Sequence, residues 1–217
     1  MNMQKWKKYP CAIFDMDGTL VDSMPYWHRL GRDYLILHGL KPEEDLEQQI
    51  AAMTLLESAE YFRDHYGLKL SADEIIRGVN ELMEENYRLR IPAKPGAEAF
   101  VKALRDAGIH LHICSATPVP LVKVMLERLG ILSCFESITS CEEAGAGKDR
   151  PDAYLLSLSR AGFKPEETIL FEDADFAIRT ALTLGLHVAA ISDASCRSTP
   201  EELRAAAEEY IVSFEDL

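Results

Sequence analysis

The sequence predicts an α/β protein: a parallel sheet covered by helices on both faces, with an all-helical segment inserted after the first strand. Three observations carry this. Short apolar runs alternate with helical patterns from about residue 96 to the C-terminus, the order expected of β–α–β units. One further run, Cys11 to Phe14, stands well ahead of them, and everything between about residues 24 and 91 reads as helix. Acidic pairs follow two of the runs, at Asp15/Asp17 and Glu172/Asp173, and in parallel sheets ligands gather at the carboxyl ends of the strands.

Each element has a local reason. Cys11 to Phe14 is apolar throughout and bounded by polar residues, as a strand buried on both faces must be. Trp27, Leu30, Tyr34 and Leu37 recur at helical spacing over about 25–38, with Gly39 as the stop. A second helical stretch covers about 46–66 and breaks near Met53. Ser71 and Glu74 form a capping-box pattern that opens a helix to about Arg90, and Pro92 and Pro95 close the block. Thereafter we read a helix over 96–107, a strand over 109–114, a helix over 118–129 and a strand over 136–139. A helix over 152–161, a strand over 168–171, a helix over 176–184 and a strand over 187–191 follow. Thr199, Pro200 and Glu202 start the last helix, and 210–212 reads as a final short strand.

Composition narrows the function. Hydrophobic residues make up 47% of the 217, enough for a packed core. The net charge of -13 argues against nucleic acid or an anionic membrane as partner. An anionic substrate must therefore be drawn in by a local positive site. The five cysteines are odd in number and form no CxxC pair, so we expect reduced thiols and a cytoplasmic setting. The basic start MNMQKWKKYP leads into an apolar run too short for a signal peptide. Nothing in the sequence speaks to oligomeric state.

The chemistry centres on CAIFDMDGTLVDS, residues 11–23. Asp-Gly alone is an ordinary turn signal. Two carboxylates at the end of a buried strand, however, repel each other and resist desolvation, so keeping both ionised calls for a cation. Mg2+ fits, being held by one or two carboxylates while its other positions go to water and substrate phosphate. Downstream, Ser115 ends the 109–114 run beside a helix start, where a hydroxyl can donate to a phosphate oxygen or simply cap the helix. Thr117, directly before Pro118, reads as the N-cap of that helix. Lys148 lies in the Gly-rich turn GAGKDRPD, placed either to bridge a carboxylate and a phosphate or as a solvated loop lysine, with Arg150 as a nearby decoy. Glu172 and Asp173 close another apolar run, and Asp175 reads as a helix-start acid.

DMDGTLVDS resembles the first motif of the haloacid dehalogenase-like hydrolases, in the phosphatase branch with two aspartates. Ser115, Lys148 and the acids 172–173 are similar to that family's three later motifs, in order. Where relatives often read K-P-x-P-D, Asp149 replaces the first proline. The resemblance implies a Rossmann-like core from residues 1–22 and 92–217 and a helical cap domain from 23–91 that closes over the site; the bland reading is a fixed helical layer. It implies Asp15 as nucleophile and Asp17 as acid and base, with Ser115 and Lys148 holding phosphate. It further implies Mg2+ bound by Asp15, a backbone carbonyl of Asp17 and Asp173, with Glu172 acting through water or on another ligand. The implied activity is hydrolysis of a small phosphorylated metabolite through an aspartyl-phosphate.

A β-phosphoglucomutase-like mutase is the alternative, and a non-catalytic binding module a weaker one, since all the catalytic side chains are present. Mutase-like caps supply an arginine in a stretch resembling G-V-S-R-x-x-S-L. The matching stretch here, Ala52 to Ala59, has Leu55 at that place and no Lys or Arg. Met24, Tyr26 and Trp27 either line the pocket or pack the core.

Overall fold

The computed structural model describes residues 3–51 and 53–217. Met1 and Asn2 of the basic start, and Ala52 at the head of the mutase-compared stretch, lie outside the described residues. The chain divides into two compact units, Ser23–Ile91, and Met1–Asp22 with Pro92–Leu217.

The 23–91 unit is helical: α1 (Met24–Leu37), α2 (Leu46–Ile50), α3 (Leu55–Tyr66) and α4 (Ala72–Leu89). The predicted break near Met53 falls between α2 and α3, where Thr54 and Glu57 form a capping box. Ser71 and Glu74 do the same for α4. Helix α4 buries Ile75, Val79, Leu82, Met83 and Tyr87 at helical spacing and packs on α1 and α3. Gly78 allows the close approach to α1, because a Cβ there would lie 2.8 Å from the Tyr34 ring. Tyr26 and Trp27 are tied within this unit, Tyr26 to the carbonyl of Arg90 and Trp27 to the Tyr87 hydroxyl.

The other unit holds one six-stranded sheet: β1 (Cys11–Phe14), β2 (His110–Ser115), β3 (Ser137–Ser140), β4 (Thr168–Glu172), β5 (His187–Ile191) and β6 (Glu209–Ile211). All neighbours are parallel, in the order β3-β2-β1-β4-β5-β6. Between them run α5 (Ala97–Asp106), α6 (Val119–Arg128), α7 (Cys141–Ala144), α8 (Asp152–Ala161), α9 (Asp175–Thr183) and α10 (Pro200–Ala206). The alternation of strand side chains divides the core. On one face Phe14 stacks on Phe171 with ring centroids 4.3 Å apart, and Trp6 and Phe100 pack around them. On the other, Cys11, Ile13, Leu170 and Val188 meet Tyr154 and Leu158 of α8, Ile178 of α9 and Leu203 of α10.

Several element ends differ from the sequence reading. Strands β2 and β3 each run one residue further, because Ser115 pairs with Ser140 in the parallel ladder. Strand β4 continues through Glu172, which pairs with Ala190. Helix α7 was not predicted; its four residues are too few to show periodicity, although Ser140 and Glu143 form a full capping box. Pro118, not Thr117, occupies the N-cap position of α6 and makes no side-chain cap bond. All five cysteines are free thiols. No helix among the described residues is long and apolar enough to cross a membrane.

Candidate active site

The strand order reverses between β1 and β4. Strands β1, β2 and β3 step outward one way, then the chain returns to the other side of β1 and steps outward through β4, β5 and β6. Such a switch point leaves a crevice at the carboxyl ends of the two central strands. Asp15 follows β1, its N–H still donating to the carbonyl of Phe171 on β4 at 2.9 Å, and Glu172 and Asp173 end β4. Two strands therefore deliver three carboxylates to one place. Their oxygens lie within 4.8 Å of one another, and all three residues are buried.

Lys148 joins them from the loop between α7 and α8. It is 6% exposed, and its Nζ donates to Asp15 Oδ1 and, at 2.8 Å, to Glu172 Oε2. Glu172 is held at both oxygens: Oε2 also accepts from the Tyr154 hydroxyl at 3.3 Å, and Oε1 accepts from the N–H groups of Asp173 and Ala174. Asp173 Oδ1 accepts from Thr19 Oγ1 at 2.9 Å. Arg150 is exposed and pairs with Asp152, so it takes no part in the cluster.

The electrostatics leave the cluster short of positive charge. Burial, reinforced by Glu172, pushes the Asp173 carboxyl up to about 7 despite the Thr19 hydroxyl. Burial also raises Asp15 well above the ordinary carboxylate range, and Lys148 offsets this only in part. Burial alone would lower Lys148, but the carboxylates of Asp15 and Glu172 override it and hold the ammonium well above its usual value. Three buried carboxylates against one ammonium suit a small dication, and the all-oxygen donor set suits Mg2+.

The remaining predicted residues are not members of this cluster. Ser115 ends β2, fully buried, and its Oγ accepts the N–H of Thr117 at 3.0 Å. Asp17 is half-buried, and its side chain is not among the clustered acids; Oδ2 accepts from the Thr117 hydroxyl at 2.7 Å. Asp175 begins α9 and accepts from Ser198. Thr117, Thr19 and Tyr154 are contacts the sequence reading did not assign. Thr117 carried a competing capping role, and Tyr154 gave no signal apart from helix packing.

Acids and a lysine buried at the switch point of a parallel sheet make an α/β site suited to a divalent cation and a phosphate group. The haloacid dehalogenase-like hydrolase family matches residues 9–185, and the chain belongs to that family. Hexitol phosphatase A of Escherichia coli is 34% identical over 180 residues, covering 83% of this chain and 82% of that one. Fructose-1-phosphate phosphatase YqaB of Escherichia coli is 26% identical, covering 83% and 95%. A Thermotoga maritima crystal structure, provisionally named a β-phosphoglucomutase, superposes with a TM-score of 0.81 at 25% identity over 95% of each chain. The protein is thus a phosphoric monoester hydrolase of the haloacid dehalogenase-like family.

Proposed function

We propose that the protein is a Mg2+-dependent phosphatase acting on a small phosphorylated carbohydrate through an aspartyl-phosphate on Asp15. The observation that supports this best is the buried set of Asp15, Lys148, Glu172 and Asp173 at the switch point. Relatives named for hexitol and fructose 1-phosphate hydrolysis support the carbohydrate class.

In this reading an oxygen of Asp15 attacks phosphorus in line, and the bond to the substrate oxygen breaks. Asp17 gives its proton to the departing alkoxide and later takes one from the water that hydrolyses the acyl phosphate. Lys148 keeps the Asp15 carboxylate and the phosphoryl oxygens from repelling each other. Ser115, oriented by the Thr117 amide, donates to a phosphoryl oxygen. Glu172, anchored at both oxygens, fixes Lys148. Asp15, the Asp17 carbonyl and Asp173 would hold the ion, with Glu172 beside it; bound there, Mg2+ neutralises charge on the phosphoryl group.

The test is release of inorganic phosphate from a panel of hexitol, hexose and pentose phosphates, with Mg2+ and with excess chelator. Hydrolysis that Mg2+ restores and Ca2+ restores poorly is expected, since Ca2+ takes more ligands at longer distances. Full activity in chelator would remove the metal from the mechanism.

A further inference from the structure

Thr117 is 4% exposed and directly precedes Pro118, the N-cap of α6. Its hydroxyl reaches back across the sheet to Asp17, donating to Oδ2 at 2.7 Å. Two features make it a stiff partner. A β-branched side chain has few χ1 choices, and the residue before a proline is confined to extended backbone. Its own N–H is fixed on Ser115 Oγ at 3.0 Å, so the end of β2 and the Asp17 carboxyl form one connected unit.

We propose that Thr117 is the positioning residue for Asp17, deciding which carboxyl oxygen faces the leaving group. This rests on the reading of Asp17 as proton donor and acceptor. Asp17 leads into the turn at Gly18–Leu20 and its backbone is held in a single bridge with Val21, which places the residue but does not choose which carboxyl oxygen it presents. The buried carboxylate of Asp15 repels it. A hydroxyl donor on Oδ2 supplies the opposing pull, and it can donate to the carboxyl in either protonation state. The same contact therefore serves both half-reactions: Asp17 passes its proton to the alkoxide as the P–O bond breaks, then accepts one from the attacking water. Thr117 exchanges no proton.

The test compares single-turnover rates on glycerol phosphate, whose alkoxide needs a proton, with those on p-nitrophenyl phosphate, whose phenolate needs little. Thr117→Val should lose about tenfold on the first and under about threefold on the second, a fraction of what general acid catalysis supplies. Thr117→Ser, which keeps the hydroxyl, should stay within about threefold of wild type on both. Thr117→Ala carries the same comparison should the valine variant not fold. Equal losses on the two substrates, or no loss, would make Thr117 a packing residue and overturn the proposal. Asp17→Asn is run alongside. Substrate discrimination there without any in Thr117→Val refutes the positioning role alone. No discrimination in Asp17→Asn refutes the acid role, and the positioning role falls with it.

Discussion

A Cβ at position 18 would lie 2.4 Å from Oδ2 of Asp173, so the glycine after the two aspartates is a steric condition for the acidic cluster. Gly18 also has φ +85, a region that L side chains adopt at a cost of about 1–2 kcal/mol. Gly18→Ala should therefore do two things at once: strain the turn and displace Asp173 from Thr19. We expect Mg2+ affinity to fall about tenfold or more, as when a ligand's supporting contact is lost. Calorimetric Mg2+ titration checks it; an unchanged affinity would show that Asp173 has room to move.

Asp15→Asn is nearly isosteric, and an amide is a poor nucleophile. The variant should fold, bind substrate and release no phosphate above background. The measurement pairs phosphate release with acid-quench trapping of the phosphoenzyme. Turnover near that of wild type would exclude attack by Asp15.

Lys148 is the cation that balances Asp15 and Glu172, both buried. Removing one partner of a buried ion pair commonly costs about 3–5 kcal/mol, because the other is left uncompensated. Lys148→Met should lower stability in chelator by that order, and added Mg2+ should recover more of it than in wild type. Urea unfolding with and without Mg2+ reads both effects. A variant as stable as wild type in chelator would mean the carboxylates are not ionised around Lys148.

Much of this site was legible because each group sits where a pattern ends. Asp15 and Glu172/Asp173 follow uninterrupted apolar runs, and Lys148 follows a glycine-rich turn, so strand ends and loop could be placed from order alone. What the sequence could not show is which side chains meet across the sheet. Thr117 and Asp17 are a hundred residues apart, and a threonine before proline has a sufficient local explanation as a helix cap. Tyr154 is a helix residue whose spacing says only that it is buried. Strands β2 and β3 end one residue beyond their apolar runs because their last pair, Ser115 and Ser140, is polar, and hydropathy cannot report a ladder partner.

The loop bearing Lys148 is braced on its flanks. Glu143 of α7 accepts from Arg160 of α8 and from the N–H of Ser140. The Arg160 guanidinium first, then the Ser140 N–H, hold its carboxyl down at about 2, against an ordinary value of 4.5. A depressed carboxylate stabilises the fold above its ordinary pKa, and the contribution disappears as pH falls from 4.5 toward 2. The pair is exposed, so solvent screening keeps it to about 1 kcal/mol or less. Glu143→Gln should thus be less stable than wild type at pH 7 and approach it as the pH is lowered below 3. Denaturant midpoints at both pH values measure the difference; a gap that persists in acid would assign it to packing.

The last prediction separates hydrolysis from phosphoryl transfer between positions of one sugar. A mutase holds a bisphosphate intermediate, and its second dianion needs a cation, since burying it unpaired is prohibitively costly. The stretch compared with the mutase caps, Ala52 to Ala59, carries none. Leu55 and Leu56 are both about half exposed there, and Glu57 is committed to the capping box with Thr54. Arg63, the first cation along the helix, is paired with Asp64. By resemblance, the mutase arginine of this stretch serves the second phosphate, and with Leu55 in its place we expect a substrate whose distal end is uncharged. We therefore expect hydrolysis without mutase activity. Supplied with β-glucose 1-phosphate and a trace of the 1,6-bisphosphate, the enzyme should yield inorganic phosphate and no burst of glucose 6-phosphate. Leu55→Arg should weaken hydrolysis of uncharged-tail substrates while improving binding of the bisphosphate. Glucose 6-phosphate forming faster than inorganic phosphate in wild type would establish the mutase reading instead.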